Sequence, residues 1–205
     1  MSAPAMRRAR IGMALAALLL LLSACAAATP TRFFTLSSLL AAPGEAASET
    51  SPELSVGVGP VTLPEYLNRP QLVTRDGSNR VAISDFDNWI EPLQGMFART
   101  FAENLSLLLA TDAVLTVPQR RPFRPDYQVG VDVTRFDADT SGNAVLDARW
   151  WLLDARGDQV LHGGRTTLVE QAAGDDRAGA VQALSQALGR LSREVAATIA
   201  AEAGG

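Results

Sequence analysis

The side chains that could act as nucleophiles, proton carriers or metal ligands are few and scattered. The 205-residue chain has one cysteine, Cys25, and one histidine, His162, which falls in a predicted strand. One cysteine excludes an internal disulfide, a Cys-rich zinc site and an iron–sulfur cluster. One histidine argues against a catalytic triad, and the acids show no paired spacing beside a nucleophile. We therefore predict that the protein is not an enzyme, has no catalytic residues and binds no metal or cofactor.

Two short motifs match the beginnings of ligand-binding sequences, but their contexts favour structural roles. Gly57-Val58-Gly59 lacks the third glycine of a dinucleotide loop, is followed by Pro60 and opens no helix. The segment Asp137–Gly142 matches the first half of a calcium loop, yet Ala148 occupies the position where a bidentate glutamate is required. We expect a glycine-containing strand in the first case and a polar hairpin turn in the second.

The charge of the chain argues against nucleic-acid binding. All eighteen basic residues are arginine, and twenty-two acids give a net charge of −4. Nucleic-acid binders normally carry a net basic patch or stripe, which this chain does not show. With 47% apolar and 20% charged residues, the composition is typical of a globular protein.

The N-terminal residues are typical of a secretory signal. Three arginines within residues 7–10 precede an apolar run over residues 11–22, which is too short as a helix to cross a bilayer. The run ends in Leu22-Ser23-Ala24-Cys25, which resembles a bacterial lipobox. We predict a lipoprotein signal peptide over residues 1–24 and lipidation of Cys25. The alternative is an ordinary cleavage site with an accidental cysteine beside it.

Lipidation would anchor the mature chain to a membrane by its N-terminus, since each buried methylene contributes about 0.8 kcal/mol. By resemblance to bacterial sorting rules, the absence of aspartate at Ala26 favours the outer membrane, with the domain on its periplasmic face. We predict a tether over residues 25–32 and a periplasmic domain over residues 33–205.

The mature chain has the pattern of one α/β domain. The predicted strands cover residues 32–36, 54–61, 72–74, 81–83 and 114–117, then three stretches near 129–133, 146–152 and 160–169. Short turns join the last three strands, which predicts an antiparallel meander. A helix is predicted from Trp89 to Ala110, although Pro92 is the better first helical residue, and a second from about Asp176. We expect a mixed β-sheet and two long helices.

Each predicted helix has an apolar stripe that a core must cover. The stripes recur every three or four residues: Leu93, Met96, Phe97, Phe101, Leu105 and Leu108 in the first, and Val181, Leu184, Leu188, Leu191, Val195 and Ile199 in the second.

Two segments have an unusual composition for loops. The first carries aromatic, branched, cationic and proline side chains without helix or strand periodicity, at Leu63, Pro64, Tyr66, Leu67, Arg69 and Pro70. The second places Trp89 just before the first helix. Either both segments pack a rigid turn into the core, or they form a partner-binding surface, since Tyr, Trp and Arg dominate interface hot spots.

The same segments resemble a known family. Val56–Val61 running into Leu63–Val73, Trp89–Leu93, Glu103–Leu105, the Phe33–Leu36 strand and the lipobox are similar to the PqiC/YmbA group of ABC-transport auxiliary lipoproteins. The resemblance implies a three-layer α/β domain anchored in the outer membrane. It also implies partnership with an MCE-domain protein and inner-membrane transporter subunits in lipid traffic between membranes. It supplies no catalytic or cofactor residue.

The predicted function is therefore that of a non-enzymatic outer-membrane lipoprotein subunit of an MCE-type intermembrane lipid transport system, which supports envelope integrity. The alternative is a structural or assembly lipoprotein, such as a chaperone for an outer-membrane protein. A periplasmic hydrolase is disfavoured because a nucleophile–base pair is missing. The sequence leaves a homo-oligomer open.

Overall fold

The computed structural model describes Met13 and residues 29–38, 54–118, 124–174 and 176–204. The predicted lipidation site, Cys25, lies outside the described residues, as does the signal peptide apart from Met13. The strands are β1 (Arg32–Phe34), β2 (Val56–Thr62), β3 (Gln71–Arg75), β4 (Val81–Trp89), β5 (Val114–Thr116), β6 (Tyr127–Asp139), β7 (Ala144–Leu153) and β8 (Val160–Glu170). The helices are α1 (Leu93–Leu109) and α2 (Arg177–Ala203), and a 3₁₀ turn covers Glu65–Leu67.

The eight strands form one mixed sheet organised around β6. One edge of β6 pairs with β7 in an antiparallel ladder, and β7 pairs with β8 in the same way. The predicted meander is thereby confirmed. The other edge of β6 pairs in parallel with β2 near its start and with β3 at its end. Beyond these two strands, β5 pairs with β2, while β4 and then β1 follow β3.

Both helices pack on the same face of this sheet. Phe97 of α1 meets Phe136 of β6 edge to face, with ring centroids 5.2 Å apart. On the same face by strand register, the Trp150 indole donates a hydrogen bond to Thr166, whose hydroxyl donates to Glu194 of α2. The mixed α/β class, the sheet and the two helices are as predicted. The described elements make two layers, whereas the family resemblance implied three.

The helix stripes form the centre of the core. All of the predicted stripe residues are buried except Leu108, which is half-buried against the same cluster. A polar contact also joins the helices, where the Asn104 amide donates to the Ser192 hydroxyl at 3.1 Å. Burial of each large apolar side chain contributes roughly 1.5–3 kcal/mol, so these stripes account for much of the folding free energy.

The helix boundaries show where local pattern and tertiary pairing compete. α2 begins as predicted, because the Asp176 carboxylate accepts a hydrogen bond from the Gly179 amide at 2.7 Å. α1 begins at Leu93 rather than at Trp89, with Pro92 in the capping position. Trp89 belongs to β4 instead, where its amide donates to the Pro70 carbonyl. Pairing with neighbouring strands therefore overrides the helical periodicity at this end.

Candidate functional site

The structure gives the residues considered for chemistry ordinary structural contacts. The imidazole of His162 on β8 lies 2.7 Å from the Glu202 carboxylate near the end of α2, at the surface. Among the described residues, no group of three His, Cys, Asp or Glu side chains is arranged to hold a metal ion. The apparent calcium loop is the last part of β6 and the turn that joins it to β7, where the Asp139 carboxylate accepts hydrogen bonds from the amides of Ser141 and Asn143. The prediction of a polar hairpin turn is confirmed.

The glycines of the apparent dinucleotide motif serve close packing. Gly57 and Gly59 lie in β2, next to the segment that follows β5. A β-carbon on Gly59 would lie 2.7 Å from the Val117 carbonyl oxygen, and the residue has a φ of +139°. Both the space and the backbone conformation require glycine at this position.

The two unusual loop segments come together in space. Residues 63–70 connect β2 to β3, and residues 89–94 run from the last residue of β4 into the first turn of α1. The two segments lie close together because β3 and β4 are neighbouring antiparallel strands. A hydrogen bond from the Trp89 amide to the Pro70 carbonyl joins the two segments, and the Gln94 side chain donates to the Val61 carbonyl at 2.7 Å. Together they line a cleft of about 390 Å³, which we call the 63–94 cleft.

The 63–94 cleft has an apolar floor and a mixed rim. Leu67, Trp89 and Leu93 are buried and form part of its wall. Ile90 is 59% exposed at the rim, although an apolar side chain of that size is normally covered. The Arg69 guanidinium at the rim donates to the Tyr66 carbonyl at 2.9 Å, which fixes its stem in place.

The acidic part of the rim is held by an ion pair. Glu91 receives two hydrogen bonds from the Arg99 guanidinium of α1, one of them at 2.8 Å. These hydrogen bonds lower the pKa of the Glu91 carboxyl. The carboxylate is therefore charged and oriented at neutral pH.

Five of the seven residues predicted to bind a partner line this cleft: Leu63, Leu67, Arg69, Pro70 and Trp89. Pro64 and Tyr66 are not among the lining residues. The Tyr66 ring packs against the core instead, and its hydroxyl donates a 2.7 Å hydrogen bond to the Asp137 carboxylate. For Tyr66, the structure thus favours the alternative reading, packing of a rigid turn.

Asp137 is a buried acid whose role the sequence did not reveal. Its carboxylate is inaccessible to solvent and is held by Tyr66, by Arg75 at 3.0 Å and by Arg135 at 2.9 Å. Burial of the Tyr66 phenol and its hydrogen bond to Asp137 raise the pKa of Tyr66 to about 12. The sequence analysis placed Asp137 in a polar hairpin turn, and the available signal against this was its position between the apolar residues Phe136 and Ala138. This group secures the base of the 63–70 segment to β6.

Comparison with known proteins identifies the family. A family described as the ABC-type transport auxiliary lipoprotein component matches residues 34–196, which include the whole 63–94 cleft. The chain belongs to this family. The resemblance found from the sequence segments is confirmed. Comparison with curated proteins finds no match.

Two solved structures share the fold of this auxiliary lipoprotein. One, described as an uncharacterized protein, has 21% identity and a TM-score of 0.67 over 83% of this chain and 99% of its own. The other is protein XCC0632 from Xanthomonas campestris, of family DUF330, with 18% identity and a TM-score of 0.68 over 85% and 97% of the two chains. Within the described residues of the auxiliary lipoprotein, no helix has the length and apolar character needed to span a membrane.

Proposed function

We propose that this auxiliary lipoprotein is a non-enzymatic subunit of an MCE-type intermembrane lipid transport system. It is anchored by lipidated Cys25 to the periplasmic face of the outer membrane. In this role it binds the end of an MCE-domain assembly that reaches the outer membrane. The other end of that assembly binds the inner-membrane transporter subunits. Membership of the transport auxiliary family supports the coarser part of this proposal.

The observation that carries the proposal is the convergence of two sequence segments in the 63–94 cleft. Both segments carry the resemblance to the PqiC/YmbA group, and nineteen residues separate Pro70 at the end of one from Ile90 in the other. Core packing explains the buried floor of the cleft but not an exposed Ile90 on the same rim as an oriented Arg69. An apolar cleft with a charged rim is the usual anatomy of a docking site.

The cleft is also pre-organised. Pro64 and Pro70 restrict the backbone at both ends of the 63–70 segment, and the Asp137 group holds its middle. Segments that are already ordered lose little conformational entropy on binding, so more of the contact energy remains as affinity. The volume of about 390 Å³ suits a few apolar side chains from a protein partner.

A matched pair of variants tests the docking site. Ile90→Asp places a charge on the cleft rim, while Val169→Asp places one on β8, where the original side chain is equally exposed at 59%. We expect Ile90→Asp to lose roughly thirtyfold or more in affinity for the purified MCE-domain protein, the scale of a hot-spot loss. Val169→Asp should bind like the wild type.

The same binding measurements discriminate the alternative function. If both variants bind the MCE-domain protein equally well, the cleft has no part in docking. If the wild type captures a purified outer-membrane β-barrel protein and not the MCE-domain protein, the chain is an assembly lipoprotein and the transport proposal is wrong.

A further inference from the structure

We propose that the sheet face opposite the helices, at its β1–β4 end, rests on the surface of the lipid bilayer that holds the anchor. Exposed apolar side chains of β1 and β4 would lie among the lipid headgroups. This inference rests on the lipid anchor of the proposed function and is independent of the MCE-domain partner.

The first observation is a patch of exposed apolar side chains on two adjacent strands. Phe33 of β1 is 60% exposed and Phe86 of β4 is 44% exposed, and Val81 and Ile83 of β4 are also exposed. We call these four residues the β1–β4 patch. The other exposed large apolar side chains of the described core domain are dispersed over the cleft rim, α1, β5 and β8. Clustering of exposed apolar residues, unlike isolated ones, indicates an interaction surface.

The strand register places the β4 part of the patch on the open face of the sheet. Thr74 of β3 accepts a hydrogen bond from the first residue of α2, so it faces the helices. Its alternating neighbours Val73 and Arg75 therefore point to the opposite face. Ile83 is paired directly with Val73, and Val81 with Arg75, so both share that open face.

The two phenylalanines lie on the same face. Phe34 packs against the core, so the adjacent Phe33 points away from it. Phe33 is paired with Asn88 of β4, and Phe86 lies two positions before Asn88. Asp87, between them, ion-pairs with Arg177 at the start of α2 and so faces the helices. The whole patch is thus presented on one side of the sheet.

The second observation is the short connection to the anchor. Arg32, at the start of β1, lies only seven positions after the predicted lipidation site, Cys25. A fully extended chain of this length spans at most about 25 Å. The anchor therefore keeps β1 close to the bilayer, and β1 is one of the two strands that carry the patch. Phenylalanine is among the apolar side chains that membrane-surface segments bury at the boundary between headgroups and acyl chains.

The third observation is a set of guanidinium groups on the same face. Arg75, paired with Val81 of the patch, borders a concavity of about 830 Å³ that also contains Arg135, Arg149 and Arg165. Three of these arginines already have acidic partners: Arg165 is ion-paired with Asp147 at 2.7 Å, and Arg75 and Arg135 are ion-paired with Asp137. Arg149, directly opposite Arg165, makes no ion pair within the described residues, so its guanidinium is the group that can bind a lipid phosphate. An apolar patch beside arginines in an acidic chain complements a lipid surface containing anionic headgroups.

Tryptophan fluorescence of the acylated, full-length protein tests the inference. A reporter is introduced as Phe86→Trp in the patch, and as Leu107→Trp for the control, because Leu107 is exposed on α1, which covers the other face of the sheet. Each variant is mixed with vesicles of phosphatidylethanolamine and phosphatidylglycerol, with or without brominated acyl chains, and the wild-type signal is subtracted. We expect bromine to quench most of the fluorescence added at position 86 and little of that added at position 107.

The outcomes separate this inference from the anchor itself. Sedimentation of the acylated protein with vesicles, but not of Cys25→Ala, establishes the anchor. If the protein sediments and the position 86 reporter is not quenched, or both reporters are quenched equally, the β1–β4 patch does not face lipid. If the acylated protein does not sediment, the anchor and the inference both fail.

A second measurement excludes contact between copies of the chain. The double variant combines Phe33→Ser and Phe86→Ser. If its untethered domain has a lower mass in sedimentation velocity than the wild-type domain, the patch joins copies of the chain and the membrane inference is wrong. We expect an unchanged mass and, in the acylated protein, faster release from vesicles than for the wild type. Circular dichroism checks that the double variant is folded.

Discussion

Replacing Tyr66 by phenylalanine removes one hydroxyl group from the base of the 63–70 segment. That hydroxyl donates to the buried Asp137 carboxylate at 2.7 Å, and the ring that carries it lies 5.8 Å from the Arg75 guanidinium carbon. Tyr66→Phe keeps the ring, and Arg75 and Arg135 still contact Asp137. The substitution therefore removes the hydrogen bond that the hydroxyl donates to Asp137 and the longer one, at 3.4 Å, that it accepts from Arg75.

Hydrogen bonds to charged groups contribute about 1.5–3 kcal/mol to stability. Because Tyr66 is half-buried, water can partly replace the lost hydroxyl, and we expect the lower end, about 1.5 kcal/mol. For a domain of this size, that free energy lowers the melting temperature by about 4 °C. Tyr66→Ala also removes the ring and its packing, so we expect a total loss of about 3 kcal/mol.

Thermal and urea unfolding of the untethered domain measure these losses. Tyr127→Phe is the matched control, because Tyr127 is half-buried too and its hydroxyl makes no hydrogen bond within the described residues. Since the Tyr66 hydroxyl points at Asp137 and the side chain does not line the cleft, Tyr66→Phe should still bind the MCE-domain protein at the wild-type level. A Tyr66→Phe domain as stable as Tyr127→Phe, or one that is stable but no longer binds, would refute the structural role assigned to Tyr66.

Three further outcomes are expected. The pKa of Tyr66 is raised to about 12 in the folded state from about 10 in the unfolded state. The contribution of the neutral Tyr66 phenol to the free energy of unfolding is therefore complete below pH 10 and is lost as the pH rises towards 12. Urea unfolding between pH 9 and pH 11.5 should show a steeper loss of stability for the wild type than for Tyr66→Phe, and equal slopes would contradict the pKa. Leu105→Asp and Leu184→Asp each bury an unpaired charge, so we expect both variants to unfold the domain. Leu107→Asp, on the exposed side of α1, is the control and should change the melting temperature little. An unchanged melting temperature for the two buried variants would mean that the helix faces are misassigned. Cys25→Ala should leave a folded domain in the soluble fraction after membrane fractionation, and a variant that stays wholly in washed membranes would disprove anchoring by that cysteine.

Features that depend on neighbours along the chain were predictable. The apolar stripe of α2 and the capping residue Asp176 both appear at the predicted places, because helical periodicity and capping are encoded within a few residues. The β6–β8 meander was equally accessible, since short turns such as the one at Asp139 force adjacent strands into antiparallel pairs. The family resemblance came from contiguous segments in the same way.

Features that depend on distant pairing were not predictable. The sequence left the start of α1 open between Trp89 and Pro92, and the hydrogen bond to Pro70 places Trp89 in β4. Tyr66 has the composition of an interface anchor, yet a carboxylate seventy-one residues away turns it towards the core. Nothing local to either residue encodes these partners.

The sequence by itself determined the periodic elements, the two segments from which the cleft is made and the candidate anchor at Cys25. Only the tertiary structure decided that residues 63–70 and 89–94 share one cleft, that both helices cover the same face of the sheet, and that the β1–β4 patch lies on the other. The physical reason is that burial is cooperative. A side chain is covered or exposed according to which strands meet across the sheet, and that choice is made by the free energy of the whole core.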